Sequence, residues 1–121
     1  MRLDPLMSIP GVRSSALVGE DGLPVEMLGE GGDLLAAELA SMRQLMDRGG
    51  RRMGLGRLSR LTFASDLAEV IALASGQFTV GVSLIRGSDS RLAQQQLARI
   101  AGSLATPGQG LPDVRPVGGE R

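Results

Sequence analysis

The feature that most constrains the fold of this chain is the turn Gly19-Glu20-Asp21-Gly22, which separates two extended apolar runs. Residues 12–18 are rich in small and β-branched side chains, and residues 23–28 resume the extended pattern. Asp-Gly between two such runs is a strong signal for a β-hairpin, because glycine adopts a positive φ without steric cost. Pro24 has no backbone N–H, so we expect it near the start of the second strand, and that strand at a sheet edge.

A long helix is predicted after the hairpin and a short one before it. Pro10-Gly11 limits residues 2–8 to at most a short helix against the sheet. Asp33 is well placed as the N-cap of a helix that runs to about Arg48, and Gly49-Gly50 is expected to end it. Such a helix is long enough to cross a small sheet, since each residue adds about 1.5 Å.

The long helix carries two apolar stripes. The first has the spacing of a core-facing stripe and consists of Leu35, Leu39, Met42 and Met46. A neighbouring stripe contains Leu34 and Leu45, with Glu38 and Ser41 between them. Two explanations fit this second stripe: a wide core face, or a surface that meets another chain.

Three further strands are predicted as a meander, at residues 57–63, 67–75 and 78–85. The last two are apolar on both faces, which requires a sheet that is covered on both sides. Residues 57–63 are more polar and carry two arginines, which is typical of an edge strand. The connections between these strands are short, so we expect antiparallel neighbours.

A last helix and a tail complete the chain. Ser88 or Asp89 is expected to cap the helix, which runs to about Leu104. Its single narrow apolar stripe consists of Ala93, Leu97, Ile100 and Leu104. Residues 105–121 are rich in Pro and Gly and have no periodicity, so we expect a flexible tail after a single domain at residues 1–104.

The order of these elements defines the fold class. It reads helix, strand, strand, helix, strand, strand, strand, helix. This order predicts an α+β domain in three layers, an α/β/α sandwich around a five-stranded antiparallel sheet. A chain of 121 residues suits one such domain.

Absent residue types exclude most enzyme chemistry. The chain contains no cysteine, histidine, lysine, tryptophan or tyrosine. Thiol nucleophiles, Ser-His triads, zinc sites with thiolate or imidazole ligands, Schiff-base lysines and phosphate-binding P-loops therefore cannot be built. Catalysis by carboxylates alone remains open. The chain also has no apolar run of about 18 residues and no signal-peptide core, so we expect a soluble cytoplasmic protein without membrane insertion.

The formal net charge of zero conceals a strong asymmetry. Residues 1–38 carry two arginines against seven acidic residues. The following region has a local net charge of +5, from Arg43, Arg48, Arg51, Arg52, Arg57 and Arg60 against Asp47. Two solvated faces explain this pattern, but an arginine cluster also suits an acidic protein surface. The neutral total gives no reason to expect nucleic acid as a partner.

Three stretches together have the pattern of a known family. They are Ile-Pro-Gly-Val followed by Ala-Leu-Val-Gly-Glu-Asp-Gly-Leu-Pro within positions 9–24, the long helix from Asp33, and the strand-glycine-strand passage at 70–84. In these stretches the chain resembles the Roadblock family of dynein light chains and its bacterial MglB-type members. The resemblance covers about residues 2–104, and its motifs are specific for the fold more than for an activity.

The resemblance implies a profilin-like Roadblock fold and a homodimer. In the implied dimer the strand at 57–63 pairs with its copy, and the two long helices lie side by side. The implied contacts on the helix are Leu34, Glu38, Ser41 and Leu45. Those on the strand are Arg57, Leu58, Ser59, Arg60, Leu61, Thr62 and Phe63.

A small Ras-like GTPase is the partner that the resemblance implies. In bacterial relatives the helix pair docks such a GTPase, and the MglB type accelerates GTP hydrolysis by rearranging the GTPase's own catalytic groups without inserting an arginine. The implied partner contacts are again Leu34, Glu38, Ser41 and Leu45, with Arg43 and Arg48 at the border. No catalytic residue, metal or cofactor is implied for the chain itself.

Three functions therefore compete. The leading hypothesis is a non-enzymatic dimer that regulates or scaffolds a small GTPase. The second is a structural adaptor, similar to a light chain, whose binding does not depend on nucleotide state. The third is a small enzyme or ligand-binding domain that uses Asp and Arg side chains between sheet and helices, but sheets that are apolar on both faces leave little room for a polar pocket.

Overall fold

Eight elements follow the order that the sequence predicts, in a computed structural model that describes residues 1–105. The helices are α1 (Asp4–Met7), α2 (Gly32–Arg52) and α3 (Arg91–Ala105). The strands are β1 (Val12–Gly19), β2 (Pro24–Gly29), β3 (Arg60–Ala64), β4 (Ala68–Ser75) and β5 (Phe78–Ile85). Ala105 is the last residue of α3, and the remainder of the predicted tail lies outside the described residues.

The predicted hairpin is confirmed as β1 and β2. Gly22 has a φ of 87°, which glycine adopts without the steric cost that a side chain would bring. The Asp21 carboxylate accepts a hydrogen bond from the Leu23 backbone N–H at 3.0 Å, and the Gly19 N–H donates to the Leu23 carbonyl. Pro24 is the first residue of β2, and β2 lies at an edge of the sheet.

All five strands form one antiparallel sheet with the order β2-β1-β5-β4-β3. One face of the sheet packs against α2, which contacts β1, β2 and β5. The other face packs against α1 and α3, and its core includes Leu17, Val80, Val82 and Leu97. This arrangement confirms the predicted three-layer α+β architecture.

Helix α2 is longer at both ends than the sequence predicts. Its N-cap is Gly31, with a φ of 82°, so Asp33 lies in the first turn and is not the cap. Gly49-Gly50 does not end the helix either. The chain after the helix turns back across Gly50, whose carbonyl accepts a hydrogen bond from the Leu55 N–H at 2.7 Å. A side chain at Gly50 would collide with the Gly56 carbonyl oxygen, so this glycine permits a close approach.

The edge strand β3 begins at Arg60, three residues later than predicted. Leu58 is outside the strand because its N–H donates to the Asp47 carboxylate of α2, at 2.6 Å. Helix α3 also begins later than predicted, at Arg91, so the residue before it is Ser90. Asp89 still contributes, since its carboxylate accepts the Arg91 N–H at 3.1 Å.

Candidate interaction surface

The second stripe of α2 faces away from the core. The side chains of Leu34 and Leu45 are 69% and 49% exposed, and Glu38 and Ser41 between them are exposed as well. Of the two explanations left open, the wide core face is therefore wrong. The first stripe is core only in part, because Leu35 and Leu39 are buried whereas Met46 is 40% exposed.

The sheet face beside α2 becomes partly exposed toward β3. Helix α2 packs mainly on β1, β2 and β5, while Leu61 and Val70 are partly buried against its core cluster and Phe63 lies beyond them. Strand β3 alternates, with Leu61 and Phe63 on this face and Arg60 and Thr62 on the other. Phe63 is 45% exposed. The β3 end of this sheet face is thus apolar and partly exposed, next to the exposed flank of α2.

Strand β3 is the second edge of the sheet, opposite β2. Its predicted position at an edge is confirmed. Of the strand residues implied as dimer contacts, Arg60, Leu61, Thr62 and Phe63 lie in β3. Arg57, Leu58 and Ser59 lie in the segment that leads into it, where the Ser59 carbonyl accepts a hydrogen bond from the Ala74 N–H of β4 at 2.9 Å.

Arg43 is not on the exposed surface, so its predicted place at the border of a docking surface is wrong. Arg43 is 6% exposed, and its guanidinium donates hydrogen bonds to the turn between β4 and β5. Nη2 donates to the Gly76 carbonyl at 2.7 Å, and Nη1 donates to the Phe78 carbonyl at 2.9 Å. The spacing of Leu35, Leu39 and Arg43, each four residues apart on the core stripe, was a signal for this burial.

Asp47 accepts two hydrogen bonds through one carboxylate, one from α2 itself and one from the segment before β3. Its Oδ2 accepts a hydrogen bond from Arg43 Nε at 3.3 Å, and its Oδ1 accepts the Leu58 N–H. The hydrogen bond from the Leu58 backbone is the largest cause that lowers the pKa of Asp47 below its ordinary value of 3.8, and Arg43 adds to it. The charged Asp47 therefore connects α2 to the segment that leads into β3.

The predicted basic region is only partly neutralised. Arg43 pairs with Asp47, and Arg57 pairs with Glu20 at 3.0 Å. In the part of the chain that the structure describes, the side chains of the other arginines of this region form no hydrogen bond or ion pair: Arg48, Arg51, Arg52 and Arg60. These four cations surround the C-terminal end of α2.

Over residues 1–105, no group of three or more acidic side chains is arranged to hold a metal ion. A cavity of about 280 Å³ lies between α2 and the β1–β2 turn, and its charged lining includes Arg48 and Arg51 together with the paired side chains of Glu20, Arg43 and Asp47. None of the helices in the same range is long and apolar enough to cross a membrane.

Solved structures with the same architecture define the class. The Roadblock/LC7 domain from Streptomyces avermitilis is 20% identical, with a TM-score of 0.72, over 81% of this chain and 86% of that chain. At such identity the likeness concerns the fold, and this chain has the Roadblock/LC7 fold. No protein-family model matches the chain, and no curated protein matches it significantly.

Within that fold, structures of MglB are among those to which the chain is similar. The gliding protein MglB from Thermus thermophilus is 13% identical, with a TM-score of 0.73, over 86% of this chain and 83% of that one. A structure described as MglB with a tetrameric arrangement is 14% identical, with a TM-score of 0.74, over 86% and 82% of the two chains. The resemblance inferred from sequence is therefore confirmed for the fold.

Proposed function

We propose that this chain is a non-enzymatic regulator or scaffold that forms a homodimer and binds a small Ras-like GTPase. The observation that carries the proposal is the exposed apolar stripe of α2 beside the edge strand β3, where Phe63 is exposed as well. An apolar sheet face and an unpaired strand edge are unfavourable in water, so proteins commonly cover them with another chain. The residue types of this chain exclude thiol nucleophiles, Ser-His triads and Schiff-base lysines.

A second copy of the chain is the occupant that best fits the β3 end of this sheet face. Two β3 strands related by a two-fold axis extend the sheet as antiparallel neighbours. The same axis brings α2 of the second copy toward Phe63, which is 45% exposed, and toward the partly buried Leu61 and Val70. The tetrameric arrangement of one MglB structure accords with self-association in proteins of this fold.

The exposed stripe of α2 also suits antiparallel pairing with its own copy. When Leu34 lies opposite Leu45 of the second helix, Glu38 lies opposite Ser41, because the two pairs share one midpoint along the helix. Each apolar side chain then meets an apolar side chain, and each carboxylate meets a hydroxyl donor. In this register the acidic N-terminal part of each helix faces the basic C-terminal part of the other.

The GTPase is proposed from the resemblance to the Roadblock family. The outer surface of the helix pair remains for this partner, with Arg48 at its border. Arg43 is withdrawn from the proposed contacts because it is buried. Any stimulation of GTP hydrolysis would act as the resemblance implies, by rearranging the GTPase's own catalytic groups without inserting an arginine.

The proposal is tested by association and by nucleotide-dependent capture. We expect the protein to sediment as a dimer and Leu45→Asp to sediment as a folded monomer, because a carboxylate would be buried in the helix pair. Leu92→Asp, at a comparably exposed leucine of α3, is the matched control and should remain dimeric. Circular dichroism checks that both variants fold.

Capture from lysate of the source organism, once with GDP and once with a slowly hydrolysed GTP analogue, addresses the partner. We expect mass spectrometry to identify a small GTPase that is retained with the GTP analogue only. Equal retention in both nucleotides would favour the adaptor without nucleotide dependence. A monomeric wild-type protein would contradict the proposed dimer.

A further inference from the structure

A cleft of about 470 Å³ lies beside the start of β2, between the β1–β2 turn and the β4–β5 turn. We call it the β2 cleft. Its apolar lining consists of Leu23, Pro24, Val25 and Phe78, and the side chains of Leu23 and Val25 are 65% and 60% exposed. Strand β2 is the sheet edge opposite β3, so this surface is separate from the proposed dimer contact. Large exposed apolar side chains at a sheet edge are unfavourable in water, and a covering segment would stabilise them.

Helix α3 ends next to the β2 cleft. Its last residues, Leu104 and Ala105, line a smaller hollow of about 200 Å³ together with Gln77 and Phe78. The same two residues of the β4–β5 turn also line the β2 cleft. The two hollows are therefore neighbours, and the chain that follows Ala105 starts beside both.

Residues 106–121 lie outside the described residues, and their number is sufficient to reach the β2 cleft. Gly19 pairs with Phe78 in the ladder of β1 and β5, and its N–H donates to the Leu23 carbonyl. Leu23 is therefore two strand spacings from Phe78, which is about 10 Å. Five extended residues span about 17 Å, so residues 106–110 are long enough to bring residue 111 to the cleft.

The tail carries one apolar stripe of its own. Its three aliphatic side chains, Leu111, Val114 and Val117, recur at every third position, although the tail lacks the period of a helix or a strand. A polyproline II helix has three residues per turn, so it places these three side chains on one face, and the two prolines between them favour this conformation. Proline-rich segments in this conformation bind grooves lined by aromatic side chains, and Phe78 supplies one here.

We propose that residues 111–117 dock in the β2 cleft of the same chain. The composition of the tail predicts flexibility, and the position of the end of α3 adds a binding place that composition does not contain. Attachment to α3 keeps the segment at a high effective concentration, so weak apolar contacts suffice. The docked segment shields the edge of β2 from pairing with other chains. This inference goes beyond the proposed function, because it requires neither the dimer nor the GTPase.

A spin label on the full-length chain tests the docking. The chain contains no cysteine, so Gly119→Cys provides a single site for a nitroxide label two residues after Val117. We expect the label to broaden the methyl NMR signals of Leu23 and Val25. Replacing all three aliphatic side chains of the tail by serine should abolish this broadening, because the apolar stripe is then lost. The labelled serine variant is thus the matched control for a tail that is tethered but not docked.

Leu23→Asp tests the docking from the side of the cleft. This change places a carboxylate in the apolar contact, so the broadening at Val25 should be lost. Leu92→Asp, at an exposed leucine of α3, is the matched control and should retain the broadening. Circular dichroism checks that both variants fold.

Three outcomes would overturn the inference. Equal broadening in the serine variant would show that the tail is tethered near the cleft without docking. Broadening at Leu34 and Leu45 in place of Leu23 would place the tail on α2. In a mixture of isotope-labelled and spin-labelled chains, broadening between the two kinds of molecule would assign the cleft to the tail of another copy.

Discussion

Arg43 and Asp47 stabilise the monomer by joining elements that are distant in sequence. The guanidinium satisfies the carbonyls of Gly76 and Phe78, and the carboxylate satisfies the N–H of Leu58. Each group also neutralises the other, with Nε and Oδ2 3.3 Å apart. Removing one member of a nearly buried pair leaves the other charge without compensation, which costs more than the loss of an exposed pair.

At the residue scale, Arg43→Met should therefore lower the free energy of unfolding by about 3 kcal/mol. Methionine fills much of the space but leaves three carbonyl and carboxylate partners without their donor. Urea unfolding followed by circular dichroism measures the change. Arg99→Met, at an exposed arginine of α3, is the control, and should alter stability by less than about 0.5 kcal/mol. Equal stability of the two variants would show that the Arg43 network contributes little.

Helix α2 owes its length to the way its C-terminal end meets the following loop. Two consecutive glycines would ordinarily end a helix, and here the helix continues through both. Gly50 lies directly against the backbone of Gly56, whereas the space around Gly49 is open. The two neighbouring glycines therefore have different structural roles, which the sequence does not distinguish.

At the element scale, substitution to alanine should separate the two glycines. Gly49→Ala should stabilise the protein by about 1 kcal/mol, because alanine favours the helix and meets nothing nearby. Gly50→Ala should destabilise it by about 1–3 kcal/mol, because the new Cβ collides with a backbone carbonyl that cannot rotate away. Both changes are measured by urea unfolding. A stabilising Gly50→Ala would mean that the loop packs differently against α2.

The whole molecule contains no histidine and no cysteine, so few groups titrate near neutral pH. The two carboxylates with a lowered pKa change their charge only at acidic pH. The pKa of Asp47 lies below 3.8, chiefly because of the Leu58 N–H, and hydrogen bonds from Arg91 lower the pKa of the exposed Asp89 to about 2. A lowered pKa in the folded state means that unfolding takes up protons in acid.

At the scale of the whole molecule, stability should stay nearly constant from about pH 5 to 7. It should fall as the pH drops below about 4, because the stabilising charge of Asp47 is present above the unfolded pKa and is lost toward the folded one. Thermal melting across this range measures the effect. Asp47→Asn should melt at a lower temperature than the wild-type protein at pH 7. Its melting temperature should fall less on acidification. A clear loss of stability between pH 7 and 5 would contradict the assignment of the pH dependence to Asp47.

Much of the fold was predictable from local pattern. The hairpin follows from the Asp21-Gly22 turn, the edge position of β2 from Pro24, and the core stripe of α3 from Ala93, Leu97 and Ile100. The ends of α2 and β3 were not predictable, since they depend on contacts between Gly50 and Gly56 and between Asp47 and Leu58. The role of Arg43 likewise depends on tertiary contacts, with the carbonyls of Gly76 and Phe78.

By itself, the sequence determined which elements form, their order and the absence of most catalytic chemistry. The periodicity of apolar residues and the choice of turn residues depend on near neighbours in the sequence, so both can be recognised from the sequence. The tertiary structure alone decided that Leu34, Leu45 and Phe63 are exposed and that Arg43 is buried. Exposure depends on which distant elements pack together, and a single chain's periodicity does not contain that information.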